Sequence, residues 1–187
     1  MAGADPSFSE THLLRALFII ACGPVGRKNL VKMLGIGEGS VRTIIKRLTA
    51  EKLIESSKQG HTLTSKGRKA VNEKLQLMTK PIGFEASGLV EGRQSLIIVR
   101  NALDRVKDGV ALRDIALKSG ADGAVLLVYD GALKFPTGGL DLSDYPEAKR
   151  RLDGLELVPG DAIVIGFAQT QAKAEDGAVS VAEKLLK

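Results

Sequence analysis

Arg42, Thr43, Lys46 and Arg47 stand at i, i+1, i+4 and i+5. On an α-helix those positions share one face. Guanidinium and ammonium groups arrayed in this way suit anions: they pair with phosphate oxygens, or with the acceptor edge of a guanine, while a threonine hydroxyl meets either kind of edge. Ser40 adds a short polar side chain one turn earlier. Arg27 and Lys28 open a preceding apolar-periodic segment, and Lys58 and His61 lie on either side of Gly60 in a polar turn. A flexible cation such as Lys58 suits contact with a phosphate backbone. His61 is read first as an exposed strand residue and second as a phosphate or groove contact.

These side chains need a scaffold, and the apolar periodicity supplies one. A helix is predicted over 10–22, capped by Ser9, with Leu13, Leu14, Leu17, Phe18 and Ile20 inward. Cys22, at its end, reads as a small buried core residue. Gly23-Pro24 stops that helix. A second is predicted over 27–34 with Leu30, Val31 and Leu34 inward, and a third over 38–52 with Val41, Ile44, Ile45 and Leu48 inward. Between them Gly35-Ile36-Gly37 forms a tight turn, so the third helix carries the basic outer face. Strands at 53–57 and 61–64 then form a hairpin around Lys58-Gln59-Gly60, and Thr64 or Ser65 caps a fourth helix over 66–78 with Ala70, Val71 and Leu75 inward. Two helices joined by a short glycine turn, the second basic outside, form a helix-turn-helix pattern.

The run from Leu34 to Leu48, then Lys52-Leu53-Ile54, then Leu63-Thr64-Ser65-Lys66-Gly67-Arg68, resembles the winged-helix core of MarR- and PadR-like regulators. The Leu-Thr-x-Lys-Gly-Arg segment is the most specific part. The resemblance implies a winged helix-turn-helix over residues 1–80 that binds double-stranded DNA, with the hairpin as its wing.

Thr79-Lys80-Pro81-Ile82-Gly83 marks the expected boundary. Strands are expected at 84–90, 95–100, 124–129, 132–135, 155–158 and 162–168, with Asp130-Gly131 as a type I′ hairpin turn. Helices are expected at 110–118, 145–152 and 171–186, the last interrupted near Asp176-Gly177, and 101–107 has helical character. The expected fold class is α+β: the winged helix-turn-helix followed, over 81–187, by a two-layer domain with a mixed, hairpin-containing sheet. Its order resembles the GAD domain inserted in bacterial aspartyl-tRNA synthetases. Gly120–Leu127 and Pro159–Gly166 resemble a small family of uncharacterised archaeal proteins that join a winged helix to such a domain. That likeness implies architecture and brings no catalytic residues.

Composition bounds the rest. Residues 1–80 carry 14 basic and 6 acidic side chains, a net of +8; residues 81–187 carry 13 and 16, a net of −3. A basic module joined to a mildly acidic one is the pattern expected of a nucleic-acid binder. Aromatic residues make up only 4%, with no Trp, which argues against stacking platforms for single strands. One cysteine excludes an intramolecular disulfide, and with two histidines it makes a zinc site unexpected. No signal peptide and no membrane span is expected, the longest apolar run being Ala16–Cys22, so a cytoplasmic protein is.

Residues 81–187 contain no His and no Cys, no G-x-S-x-G and no P-loop, so no catalytic residue and no cofactor is expected. Thr137-Gly138-Gly139 reads as a flexible turn with the capacity to cradle a phosphate; Arg93, Arg100, Arg113 and Asp114 read as surface charge with an anion pocket as the alternative. The expectation is a transcriptional regulator, a homodimer whose second domain dimerises, senses a small-molecule effector, or both. The alternative is an enzyme with a winged-helix appendage, an architecture that archaeal riboflavin kinases share.

Overall fold

The computed structural model describes residues 8–107, 109–136 and 140–187. The Thr137-Gly138-Gly139 turn lies outside them. The chain divides into two units, Met1–Leu75 and Gln76–Lys187.

In the first unit α1 (Glu10–Ile20), α2 (Arg27–Leu34) and α3 (Glu38–Ala50) are followed by an antiparallel hairpin, β1 (Ile54–Ser57) and β2 (Gly60–Leu63), and by α4 (Ser65–Leu77), whose last turn belongs to the second unit. Ser9 caps α1, and His12 takes the place of the usual Glu or Gln of a capping box: its Nδ1 accepts the Ser9 backbone N–H at 3.0 Å. The helix closes at Ile20, and Gly23 turns the chain at φ +142°. Cys22 therefore falls in the turn and is exposed, not buried in the core; its Sγ lies 3.4 Å from the Phe18 carbonyl. Gly35, in the left-handed region at φ +67°, ends α2. The carbonyls at that end meet a buried guanidinium: Arg15 donates to Met33 O at 3.0 Å and Leu34 O at 3.4 Å. The third helix stops at Ala50, because Lys52 turns left-handed at φ 59° and Leu53 N–H reaches back to Leu48 O at 2.9 Å.

Within the Leu63–Arg68 segment, Thr64, Lys66, Gly67 and Arg68 each have a structural reason. Thr64 Oγ1 accepts the Gly67 N–H at 3.0 Å and donates to Lys52 O at 2.6 Å. Lys66 Nζ donates to Glu51 O, and Arg68 Nη1 to Leu63 O. A Cβ on Gly67 would stand 2.0 Å from Leu53 O, so only glycine lets α4 approach this closely. Leu17, Phe18, Leu30, Leu34, Val41, Ile44, Leu48, Ile54, Leu63 and Val71 are buried between these elements.

The second unit begins inside α4, earlier than the Pro81 composition shift. Arg100 N–H donates to Leu77 O, and Thr79 exchanges hydrogen bonds with Ile98. Its sheet has the order β3 (Ile82–Phe84), β4 (Arg93–Val99), β7 (Ala162–Ala168), β5 (Gly123–Tyr129), β6 (Leu133–Lys134). Every pairing is antiparallel, which corrects the expectation of a mixed sheet. The strands β4 and β5, joined through α5 (Gly109–Lys118), run the same way, but β7 is inserted between them and replaces the parallel contact.

Ser95, Ile97, Val164 and Gly166 face α7 (Gln171–Leu185), which is packed so closely that a Cβ on Gly166 would stand 2.3 Å from Ala174 O. The helix α5 packs against α7 and β5. On the opposite face Leu96, Ile98, Leu127, Ile163 and Ile165 form a core with Leu142 and with Ala148 and Leu152 of α6 (Pro146–Leu152). The expected two layers thus become a sheet covered on both faces.

Four local expectations also change. The first strand leaves the sheet after Phe84, where the buried Gln94 side chain takes over as partner, bonding Ala86 N, Ala86 O and Val90 O. Three residues, not two, separate β5 from β6, and the Asp130 carboxylate bonds the Ala132 N–H and Lys134. Residues 155–158 form no strand. The last helix runs without interruption: Gly177 is required because a Cβ there would stand 2.6 Å from Ala121 Cβ, and the buried Asp176 is paired with Lys173 at 3.2 Å.

Candidate nucleic-acid interface

The inward face of α3 fixes what its outer face presents. Val41, Ile44 and Leu48 are buried, so Arg42, Thr43, Lys46 and Arg47 are turned to the surface, with Ser40 half-buried beside them. Thr43 Oγ1 bonds its own helix at Gly39 O, 3.1 Å, which leaves the oxygen's lone pairs outward.

An open cleft of about 480 Å³ runs between the start of α2, α3 and β2. Arg27, Lys28, Arg42 and His61 line it together with Gly26, Asn29 and Ile45. Four of the nine sequence-predicted residues are thus gathered around one concavity. Val25 fixes the position of His61: its backbone exchanges hydrogen bonds with His61 at 2.8 and 3.1 Å, adding a third extended segment beside β2. Gly60 (φ +128°) makes this possible, since a Cβ would stand 2.7 Å from the Val25 carbonyl carbon. His61 Nδ1 lies 2.8 Å from Ser56 Oγ. Partial burial, and then the positive charge of Arg27, hold the His61 imidazole below its ordinary value, so it resists protonation. Lys58 sits at the exposed hairpin turn.

Acids stand against this face, two of them at the i,i+4 spacing of α3. Glu38 Oε1 pairs with Arg27 at 3.1 Å and with Arg42 at 3.5 Å. Arg47 is held on the other flank, bidentate to Glu10 at 2.6 and 3.1 Å and bonded to Glu51 at 3.0 Å. Hydrogen bonds to Glu10, then to Glu51, raise its pKa further. The pairing with Glu10 spans 37 positions of sequence, which no local pattern signals. Sequence reasoning likewise missed Arg15; an arginine within an apolar helix face is its one signal.

In the second unit Arg93, Arg100, Arg113 and Asp114 do not converge. Arg93 and Arg100 lie at opposite ends of β4, the first 3.7 Å from Glu85 and the second paired with the buried Asp161; Arg113 and Asp114 are exposed on α5. Among the described residues no group of three or more His, Cys, Asp or Glu is placed to hold a metal ion, and no helix is long and apolar enough to cross a membrane.

Residues 90–185 match the model of a domain of unknown function, DUF4443, and residues 12–69 that of the PH0730-like N-terminal domain. A hypothetical protein, PH0730 from Pyrococcus horikoshii OT3, shares the structure with a TM-score of 0.81 and 33% identity, over 96% of this chain and 93% of that one. No curated protein matches the chain.

Proposed function

The chain belongs to the DUF4443 family, and we propose that it is a sequence-specific, DNA-binding transcriptional regulator whose first unit is a winged helix-turn-helix. The observation that carries this reading is the outer face of α3, where Arg42 and Lys46 are exposed beside a basic cleft while the opposite face is fully buried. Helix, extended Val25, two helices across a glycine turn, and a hairpin that pairs back onto Val25 is the order of a winged helix. In this reading α3 lies in a major groove of double-stranded DNA. Ser40, Arg42, Thr43 and Lys46 meet base edges, Arg27 and Lys28 meet phosphates at the start of α2, and Lys58 and His61 belong to the wing. Arg47 contacts DNA only after leaving Glu10. The protein works in the cytoplasm as a homodimer, presenting two recognition helices to a pseudo-palindromic site, and its second unit dimerises or binds an effector without catalysing a reaction.

The test is fluorescence anisotropy against duplexes selected from a random pool, at two salt concentrations. Arg42→Ala and Lys46→Ala weaken binding while leaving circular dichroism unchanged. A lost base contact costs ~1–3 kcal/mol and relaxes one position of the motif; a lost phosphate contact weakens all sequences alike and lowers the salt slope by about one. Retention of wild-type affinity by both variants overturns the assignment of α3, and no binding at low salt overturns the function.

A further inference from the structure

The second unit carries a concave site that the α3 face does not use. It opens between the β5–β6 loop, α6 and residues 155–157, with a volume of about 380 Å³. Tyr129, Leu133, Leu155 and Leu157 line it and are only partly buried, so apolar surface is left facing a concavity. A concavity of this size that combines leucine side chains with polar surface is of a kind that takes a small polar molecule. The charged groups are one cation and one anion, Lys149 on α6 and Asp153 at its C-terminal cap, four residues apart. They form a loose pair at 3.9 Å, with both side chains more than half exposed, so the contact contributes little and is readily exchanged for a better one.

We propose that this pocket binds an apolar α-amino acid. Such a molecule carries a carboxylate and an ammonium group on one carbon, with a hydrocarbon or aromatic side chain beyond. The carboxylate pairs with Lys149, the ammonium group with Asp153, and the side chain covers Leu133, Leu155 and Leu157. A simple fatty acid or amine satisfies one charge and leaves the other facing its own end of the ligand, so the opposed pair selects a zwitterion. The space is sufficient for a leucine or a phenylalanine. Leu155 and Leu157 are the residues read from sequence as strand; as irregular chain they turn their side chains to the same pocket as α6. This inference gives chemistry to the effector part of the proposed reading, and its test is independent of DNA.

Isothermal titration calorimetry of the full chain against leucine, phenylalanine, 4-methylpentanoate and 3-methylbutylamine tests it. Leucine or phenylalanine binds with micromolar to millimolar affinity, the two single-charge analogues bind at least tenfold more weakly, and Lys149→Ala and Asp153→Ala each lose tenfold or more. Both residues are exposed, so the variants keep the wild-type melting temperature. Equal binding of leucine and 4-methylpentanoate, or wild-type affinity in both variants, overturns the zwitterion assignment. No heat with either amino acid at about 10 mM, where a Kd of 1 mM is readily seen, overturns the site. Anisotropy with operator DNA, repeated with the amino acid present, then reads coupling between the two sites; whether the pocket binds is decided by calorimetry alone.

Discussion

The two units use charge in opposite ways. In the first, among the described residues, the charge that is buried is a cation, Arg15, and main-chain carbonyls receive it; Glu10, Glu38 and Glu51 stand outside, each against an exposed arginine. In the second, the buried charges are carboxylates. Asp161 accepts the Val158 N–H and holds Arg100, and Asp176 holds Lys173 inside α7. One unit uses its internal charge to close a helix and leaves its cations where an outside anion can compete for them. The other ties loops and a helix down with its acids. Exposed pairs contribute little to stability and are screened by salt, so those of the first unit are exchangeable, whereas removing one member of a buried pair strands the other.

The largest expected effect separates the units mechanically. Gly166→Val places a side chain against the backbone of Ala174 and Ala178, neither of which can move without shifting α7 off the sheet. Forced overpacking costs ~1–3 kcal/mol or more, and here the atoms in the way are main chain. Hydrogen exchange should show protection lost across 76–187 and retained across α1–α3. Gly67→Ala does the converse, pressing on Leu53 O and loosening the hairpin from α4. Equal loss in both units from either change would show that the two do not unfold separately.

The second effect concerns affinity. Glu10→Gln removes the bidentate partner of Arg47 and leaves Glu51. If α3 meets DNA, the variant binds about two- to fivefold more tightly at low salt, and the gain shrinks as salt rises, because an unmasked cation adds a phosphate contact. Arg47→Ala alone has a smaller effect on binding than Lys46→Ala, since Arg47 is already occupied. A larger loss at Arg47 than at Lys46 would show that the Glu10 pair opens freely in solution.

How much of the molecule is legible in the sequence follows the range of the interactions involved. The bounds of α2 are written locally, by Gly26 and Gly35 around Leu30 and Leu34, and β7 is written as one apolar run between a turn and a polar cap. The alternation within α3 likewise tells which face is outward. Long-range contacts are not written. Nothing near β4 or β5 says that β7 will lie between them, and nothing near Gly177 says that Ala121 will press against it. The apolar stretch containing Cys22 reads as core, yet Gly23 ends the helix early enough to put the thiol in a turn. In the candidate interface the same rule holds: helix spacing gives the cations of α3 and their i,i+4 partners Glu38 and Glu51, while Glu10, the bidentate partner of Arg47, comes from a helix start far away in sequence.

The smallest effect, and the most selective, lies at His61. Its folded pKa is below the ordinary 6.5, through burial first and Arg27 second, so between the folded value and 6.5 the unfolded chain binds more protons. The stability contributed by a neutral His61 is therefore complete above about pH 6.5 and is lost as pH falls through that value toward the folded pKa. Protonation of the folded protein also adds a positive charge to the cleft that Arg27, Lys28 and Arg42 line, so under the proposed function DNA affinity rises as pH falls toward and through the folded value. Stability and affinity should move in opposite directions with pH. His61→Gln keeps the backbone bonds to Val25 and flattens both trends. Parallel slopes in the two proteins, from melting and anisotropy between about pH 5 and 8, would place the titration elsewhere and leave His61 as a strand residue that packs against Val25.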